Sequence, residues 1–311
     1  MGEVEDRIIG IGKSISDKAK ILCNALVVLL DIYHNRISGG FVQSRFSDLV
    51  DLIRGLPYSS QPISADLQDA RALPLPSQSV DFSVTSPPYI NVFNYHQNYR
   101  RSVEVLGWDL LRVARSEIGS NRANRGNRFH TVVQYCIDMA SALQEMARVL
   151  KPEGRAVLIV GYESRVLGVP FYNADIVQQI AVRSGMFEMA LRQKRVFTNR
   201  LGEAIREDIL NLRQGAYTAE ATLPASLGRS VAREALTSAS PSVPEKSRSL
   251  LEDAVSRINE INGTPFFNSV SYADYQTRDS VMMVKEEEEP YMKQETPSCR
   301  HPISTSSMPF S

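Results

Sequence analysis

The sequence predicts an α/β protein whose sheet is doubly wound and mostly parallel. Apolar segments typical of strands occur at 79–85, at 156–160 and at about 187–198, and amphipathic segments typical of helices occur at 132–150 and 173–184. Because strands and helices of these lengths alternate along the chain, a parallel sheet with crossover helices is favoured. The strand at 156–160 is apolar at every position, so we expect it to be buried on both faces.

Residues 1–60 are predicted to form a helical N-terminal segment. A helix over 17–35 is expected to begin at Ser16 and Asp17, because such residues cap helix N-termini, and to end at the pair Gly39 and Gly40. A second amphipathic helix is predicted over 46–54, with an apolar side formed by leucine, valine and isoleucine.

Residues 61–214 are predicted to form the α/β domain, with an arginine-rich insert at 100–130. A charged helix is predicted over 202–213, near the end of this domain. Beyond it the signal weakens: residues 215–249 are rich in Ser, Ala, Thr and Pro and are predicted to be a linker. Residues 250–311 are predicted to hold one helix and a disordered acidic tail, so that the C-terminal extension is weakly structured.

The composition is that of a soluble globular protein. The chain has 311 residues, 43% of them hydrophobic and 23% charged. The most apolar run, from Ile21 to Tyr33, is interrupted by Asn24 and Asp31 and is too short to span a bilayer. Three widely spaced cysteines indicate no disulfide framework and fit a reducing compartment. We therefore expect a cytoplasmic protein with no membrane partner.

The most informative stretch follows the first predicted strand and reads Thr85-Ser86-Pro87-Pro88-Tyr89. Neither proline can donate to a strand ladder, so the pair predicts a rigid turn just past the end of the strand. In open α/β sheets ligands bind at this end. The hydroxyl of Ser86 and the carbonyl of Pro87 can accept hydrogen bonds from an exocyclic amine, and Tyr89 can stack on a ring. The turn therefore suits a planar base.

This stretch resembles motif IV of the amino-methylating DNA methyltransferases, which modify cytosine N4 or adenine N6. The segment from Asp69 to Pro76, followed by Ser79-Val80-Asp81, is similar to that family's lead-in to the motif. The segment from Glu145 to Arg155 is similar to the helix, turn and strand that follow it. The resemblance covers roughly residues 65–200 and implies a Rossmann-like domain of the class I methyltransferase type, either complete or incomplete.

The resemblance implies S-adenosylmethionine as cofactor, double-stranded DNA as substrate and the exocyclic amine of a flipped base as methyl acceptor. It assigns catalytic roles to Ser86, Pro87, Pro88 and Tyr89. Serine at the first of these positions favours cytosine N4 over adenine N6. A restriction-modification system is one setting in which such an enzyme acts.

On the cofactor side, the resemblance implies that Asp69 accepts a hydrogen bond from the cofactor's adenine and that Thr85 lies beside the cofactor. An ordinary turn aspartate is the alternative for Asp69. The family also carries a Phe-x-Gly-x-Gly turn, which only Gly10-Ile11-Gly12 approaches, without the aromatic residue. The sequence therefore contains the residues expected around a target base, but it does not contain the full set expected around the cofactor. A second polypeptide or an upstream segment that carries the glycine-rich turn is implied.

Seven arginines and no lysine lie between Arg100 and His130, directly after the motif. The planar guanidinium suits phosphate oxygens and guanine edges, and it stacks on bases. A solvated loop with arginines on helix surfaces is one interpretation; a DNA-contacting surface is the other, favoured by the position of the segment beside the base pocket. The residues predicted to contact DNA are Arg100, Arg101, Arg122, Arg125 and Arg128.

Three functions remain open from the sequence. The first is a site-specific DNA methyltransferase. The second is a non-catalytic or split DNA-binding subunit, or a decayed methyltransferase, that lacks its own cofactor site. The third is methylation of RNA or of a protein amide, although the arginine-rich insert favours a nucleic acid over a protein. Amine methylation needs no enzyme nucleophile, so Cys136, on a predicted helix, is expected to belong to the core.

Overall fold

The computed structural model describes residues 17–31, 38–90, 99–120, 122–199, 202–215 and 223–267, together with Gly10. The helices are α1 (Asp17–Asp31), α2 (Gly39–Arg54), α3 (Arg100–Val105), α4 (Leu110–Val113), α5 (His130–Val149), α6 (Asn173–Arg183), α7 (Pro224–Ala239) and α8 (Glu245–Ser256). The strands are β1 (Val80–Thr85), β2 (Leu150–Gly161), β3 (Ser164–Val166), β4 (Val169–Phe171), β5 (Phe187–Thr198) and β6 (Ala204–Gln214). Over these residues no helix is long and apolar enough to cross a membrane.

The main sheet has four strands in the order β1-β2-β6-β5, which confirms the α/β class. β1 and β2 run parallel, with Thr85 beside Leu158, and α5 connects them. β6 then pairs with both β2 and β5 in antiparallel fashion. A separate two-stranded hairpin, formed by β3 and β4, follows directly after β2. The C-terminal ends of the two parallel strands thus lie at one edge of the fold.

One face of this sheet is packed against helices, and we call it the covered face. Its residues follow from the strand register: Ser83, Ala156, Leu158, Val160, Leu210 and Leu212. The last five are buried within a core that includes α5, α6, α7 and α8. Arg192 of β5 lies on the same face and reaches Asp175 on α6. The main hydrophobic core therefore lies between the sheet and one helical layer.

The opposite face, which we call the open face, carries apolar side chains without a helical layer among the described residues. Its apolar members are Phe82, Val84, Val157, Ile159, Leu191 and Ile209. In β2 the burial consequently alternates: Leu158 and Val160 are buried, whereas Val157 and Ile159 are only half-buried. The expectation that 156–160 is buried on both faces is therefore wrong, and the second helical layer of a doubly wound sheet is not found over the described residues.

The N-terminal helices differ from prediction at the glycine pair. Gly39 and Gly40, predicted to end the first helix, instead begin α2, which starts well before the predicted residue 46. Ser38 explains this start, because its side chain accepts a hydrogen bond from the backbone N–H of Phe41 at 3.3 Å. α1 and α2 form a second, small cluster in which Leu26, Val27 and Leu30 are buried, and Leu106, just after α3, packs against it.

The charged segment at 202–213, predicted to be a helix, is the strand β6. β6 is hydrogen-bonded to neighbours on both sides, and pairing of this kind overrides local helix propensity. Its charges are accommodated individually: the buried carboxylate of Asp208 accepts a hydrogen bond from Arg192 of β5. Burial along this segment alternates from one residue to the next, as it does in a strand, and does not follow helical spacing.

The region 215–249, predicted to be a linker, contains α7 and the start of α8. Leu227, Val231 and Leu236 of α7 are buried in the main core. Gly228 packs against α5 so closely that an added Cβ would lie 2.6 Å from the Cα of Ile137. Small residues in this region suggested a linker. At Gly228, however, the small residue allows α7 to pack closely against α5. The acidic tail predicted within 250–311 lies, from residue 268 onward, outside the described residues.

A buried ionic cluster ties the C-terminal segment to the lead-in of β1. Arg71, whose side chain is 1% exposed, donates to both carboxylate oxygens of Asp69 and to Asp138 of α5 at 2.8 Å. Thr264 accepts from Arg71 at 2.7 Å and donates through its backbone N–H to Asp138. Phe267 donates its backbone N–H to Asp69. The folded unit therefore extends to residue 267, well beyond the predicted boundary at 214.

The two carboxylates of this cluster differ in pKa. Burial raises the pKa of Asp138 to about 6, because the opposing effect of Arg71 does not fully offset desolvation. Burial also acts on Asp69, but hydrogen bonds from Arg71 and from the backbone of Phe267 outweigh it and leave the pKa of Asp69 below its usual value. Both carboxylates pair with Arg71, and Asp69 stays ionised to a lower pH than Asp138 does.

We expect the substitution Arg71→Met to lower the free energy of unfolding by about 3–5 kcal/mol, because it leaves two buried carboxylates without their cation. Urea denaturation measures the change. The matched control is Arg248→Met, which removes an exposed pair with Glu245 and should cost no more than about 1 kcal/mol. Equal stability of the two variants would contradict the structural role given to Arg71.

Candidate active site

The Ser86–Tyr89 turn lies where the two parallel strands end. Ser86 is exposed, Pro87 is buried, and Pro88 and Tyr89 are half-buried. The hydroxyl oxygens of Ser86 and Tyr89 are 3.4 Å apart. All four predicted catalytic residues are thus brought together at the carboxyl end of β1, the position at which α/β sheets bind ligands.

Tyr89 is seated against two glycines from distant parts of the chain. A Cβ added to Gly161, the last residue of β2, would lie 2.6 Å from Cε2 of the tyrosine ring. A Cβ added to Gly119 would lie 2.5 Å from the carbonyl oxygen of Tyr89, and Gly119 has a φ of +79°. Only glycine leaves room at Gly161 for the ring in this position. Gly161 therefore sets the position of the Tyr89 ring, and Gly119 sets that of its backbone carbonyl.

A fully buried amide fixes the exit of the turn. Asn173, the first residue of α6, accepts a hydrogen bond from the backbone N–H of Ile90 at 3.2 Å and donates to the carbonyl of Gly161, also at 3.2 Å. It also donates to the hydroxyl of Ser164 at 2.9 Å. The sequence predicts only that a helix begins at residue 173, and nothing in the pattern shows which distant backbone groups the side chain of Asn173 reaches.

A cavity of about 440 Å³ lies beside the turn. Its walls are the end of β1 with the turn, the lead-in segment and one side of α5; they include Thr85, Ser86, Leu73, Met139, Leu143 and Met146. The lining is apolar apart from hydroxyl groups, and none of the described lining residues is acidic or a glycine. The cavity therefore has mostly apolar walls, and its polar side-chain groups are the hydroxyls of Ser83, Thr85 and Ser86.

The two residues predicted to contact the cofactor, Thr85 and Asp69, have different surroundings in the structure. Thr85 lines the cavity, as expected of a residue near a bound molecule. Both carboxylate oxygens of Asp69 are engaged with Arg71 and Phe267, so the geometry favours the structural alternative for this residue. The described residues therefore do not fit S-adenosylmethionine by themselves: the cavity offers neither a free carboxylate for the ribose nor a glycine turn for the methionine moiety.

The predicted DNA-contacting arginines lie on the segment that returns to the turn at Gly119. Arg100 and Arg101 are exposed on α3, and Arg100 forms an ion pair with Glu104 at 2.8 Å. Arg122 is the first residue of a 3-10 turn. Arg125 and Arg128 are exposed on either side of Asn127, which is buried. Two pairs thus face solvent: Arg100 with Arg101, and Arg125 with Arg128.

Two polar side chains, Asn127 and His130, anchor the second of these pairs to α8. The side-chain amide of Asn127 donates to the carbonyl of Leu250 at 2.7 Å and to the carboxylate of Asp253 at 2.8 Å. The ring of His130 lies 3.0 Å from the same carboxylate. The backbone that presents Arg125 and Arg128 is therefore held against the folded unit.

Cys136, on α5, is fully buried, and burial strongly raises the pKa of its thiol. It therefore belongs to the core, as expected from the sequence.

No known family profile and no curated protein matches this sequence. Among solved structures, a protein of Thermus thermophilus, provisionally assigned as a DNA modification methylase and crystallised with S-adenosyl-L-methionine, aligns with 20% identity and a TM-score of 0.29. The alignment covers 50% of this chain and 57% of that one. A SAM-dependent methyltransferase of Methanosarcina mazei aligns with 13% identity and a TM-score of 0.30, over 55% and 77% of the two chains. This chain thus spans little more than half the length of the Thermus thermophilus protein.

We expect Gly161→Ala to lower the free energy of unfolding by about 1–3 kcal/mol, because the added methyl group displaces the Tyr89 ring. Most of this loss should vanish in a Tyr89→Ala background, where the clash is absent. A double-mutant cycle by chemical denaturation measures this coupling. Gly126→Ala, with open space around it, is the control. An equal cost in both backgrounds would show that Gly161 does not seat Tyr89.

Proposed function

We propose that this chain provides the target-base half of an S-adenosylmethionine-dependent DNA methyltransferase. The observation that carries the proposal is the Ser86–Tyr89 turn, held at the end of β1 with Tyr89 seated on Gly161 and the cavity beside it. The turn offers hydrogen-bond acceptors and a ring at one place, which are the groups needed to hold a base by its exocyclic amine.

The catalytic residues of this proposal are Ser86, Pro87, Pro88 and Tyr89. The hydroxyl of Ser86 and the carbonyl of Pro87 accept hydrogen bonds from the amine and direct its lone pair outward. Tyr89 stacks on the ring and offsets part of the few kcal/mol needed to flip the base out of the duplex. When bound, the cofactor supplies an activated methyl group, so placement of the amine is the principal task of these residues.

The preferred acceptor is cytosine N4, with adenine N6 second, because serine occupies the first motif position. Double-stranded DNA is the proposed partner, contacted by an arginine surface that consists of Arg100, Arg101, Arg122, Arg125 and Arg128. A role in restriction-modification fits such an enzyme. The remaining cofactor contacts would come from a second polypeptide or another segment, because Thr85 alone of the two predicted cofactor residues lines the cavity.

A non-catalytic DNA-binding subunit is the second candidate. The observation in its favour is that Asp69 is committed to Arg71, so the described residues do not complete a cofactor site. Both candidates keep the arginine surface, but only the first requires Tyr89 for methyl transfer. Variants of the Ser86–Tyr89 turn therefore separate the two candidates.

We expect Tyr89→Ala to lower methyl transfer about 5- to 150-fold, which corresponds to the roughly 1–3 kcal/mol of base stacking. Tyr89→Phe keeps the ring and should stay within a few-fold of the wild type. The assay adds purified chain to an extract of the source cells that lacks this gene, with duplex DNA and methyl-tritiated cofactor. Tyr58→Ala, at an 82% exposed position, is the control. Full activity of Tyr89→Ala would contradict the base-pocket assignment.

We expect replacement of Arg122, Arg125 and Arg128 by Ala to weaken DNA binding and to reduce its salt dependence. The slope of log K against log salt should fall by about 2.7 if each arginine neutralises one phosphate. Fluorescence anisotropy with a labelled duplex measures both effects. Exposed arginines elsewhere provide the control triple: Arg54, Arg248 and Arg257. The same slope for both triple variants would show that Arg122, Arg125 and Arg128 do not contact DNA phosphates.

A further inference from the structure

Three arginines in the second half of the arginine-rich insert carry charges that the described residues do not neutralise. Arg115, Arg125 and Arg128 are all exposed. Within the described part of the chain, none of their guanidinium groups forms an ion pair or a hydrogen bond. Exposed arginines elsewhere are often paired, as Arg183 of α6 is with Glu234 of α7. The three guanidinium groups are therefore available to an anionic partner.

The backbone that carries these arginines is held by the C-terminal part of the folded unit. The hydroxyl oxygen of Thr264 lies 3.5 Å from the carbonyl oxygen of Ser116, the residue after Arg115. Asn127, between the other two arginines, is hydrogen-bonded to α8. We call Arg115, Arg125 and Arg128 the anchored arginines. The described chain ends at Phe267, three residues beyond Thr264, so the residues that follow begin close to this surface.

The longest run of like charge in the sequence follows at residues 286–289, which are four consecutive glutamates. These residues lie outside the described part of the chain, and their charge is known from the sequence. Residue 286 comes 19 positions after Phe267, and a chain of that length spans at most about 65 Å. Because the chain leaves the folded unit beside Ser116, this length is sufficient to bring the four carboxylates onto the anchored arginines.

We propose that the glutamates at 286–289 bind the anchored arginines of the same chain and compete there with the phosphates of a nucleic acid. Guanidinium groups bind carboxylates and phosphates through the same paired hydrogen bonds, so one ligand excludes the other. The inference adds a regulatory contact to the proposed function, and it rests on that function for the identity of the competitor, which is DNA.

Attachment to the same chain favours this partner over an equal segment of another molecule. A tether of this kind gives an effective concentration on the order of millimolar, which exceeds the concentration of free chains in a dilute assay. Each exposed ion pair is weak by itself, so the contact is reversible and DNA can displace it. Nucleic acid then binds only the fraction of molecules whose arginines are free, which lowers the apparent affinity by that fraction.

The contact is tested on the purified full-length chain without DNA, with the photo-cross-linking residue p-benzoylphenylalanine in place of Tyr291. We expect irradiation to join position 291 to peptides within 113–130 of the same chain, as identified by mass spectrometry of the monomer. Replacement of the anchored arginines by Ala should lower the yield at least fivefold. Exposed arginines elsewhere supply the control triple, which should leave the yield unchanged: Arg54, Arg248 and Arg257.

The competition is tested by replacing the four glutamates at 286–289 by Gln in the full-length chain. Binding of a labelled DNA duplex, measured by fluorescence anisotropy at 50 mM salt, should tighten at least fivefold. A fivefold gain corresponds to wild-type arginines that are free about one fifth of the time. A control quadruple variant changes the net charge equally and should alter the affinity less than twofold. It carries Gln at four exposed glutamates: Glu153, Glu245, Glu252 and Glu260.

Several results would overturn the inference: no adduct, adducts that join two chains or fall outside 113–130, an unchanged yield without the anchored arginines, or equal measurable DNA affinities of the two quadruple variants. The proposed function fails differently. If the adduct forms and depends on the anchored arginines, but neither the wild type nor the 286–289 variant binds duplex DNA, the intramolecular contact stands and the DNA-binding role is refuted.

Discussion

β1 and β2 lie side by side in parallel, and the position of the Ser86–Tyr89 turn follows from this pairing. With Thr85 beside Leu158, both strands end at the same edge, so the Ser86–Tyr89 turn and Gly161 meet there. A parallel pair requires a crossover, which α5 provides, and α5 also forms a wall of the cavity. One pairing thus sets the location of the turn, the seat of Tyr89 and the shape of the adjoining space.

Contacts between segments far apart in sequence hold this site in place. Asn173 links the turn to the end of β2, and Gly119 brings the arginine-rich segment back against Tyr89. Behind the site, Arg71 joins the lead-in of β1 to α5 and to Thr264. Each of these contacts is short-range and sterically or electrostatically demanding. The turn is therefore fixed within the folded unit, as the proposed binding of a base requires.

The sequence predicted the parts of the fold whose local signals agree with their tertiary surroundings. The strand at 79–85, the turn after it and the helix at 132–150 are found nearly as predicted, since apolar periodicity and paired prolines act locally. β6 and α7 were missed because pairing on both sides and close glycine packing override local propensity. The role of Asp69 depends on Arg71, Asp138 and Thr264 meeting in space, which no spacing in the sequence reveals.

The central claim is that Tyr89 holds a DNA base for methylation in the assembly formed in the cell. The most direct measurement replaces the chromosomal gene in the source organism with Tyr89→Ala and quantifies modified nucleosides in genomic DNA by mass spectrometry. The account predicts a marked fall in N4-methylcytosine, or in N6-methyladenine if that base is the acceptor, with no fall in a Tyr58→Ala strain. Unchanged levels of both modified nucleosides would contradict it.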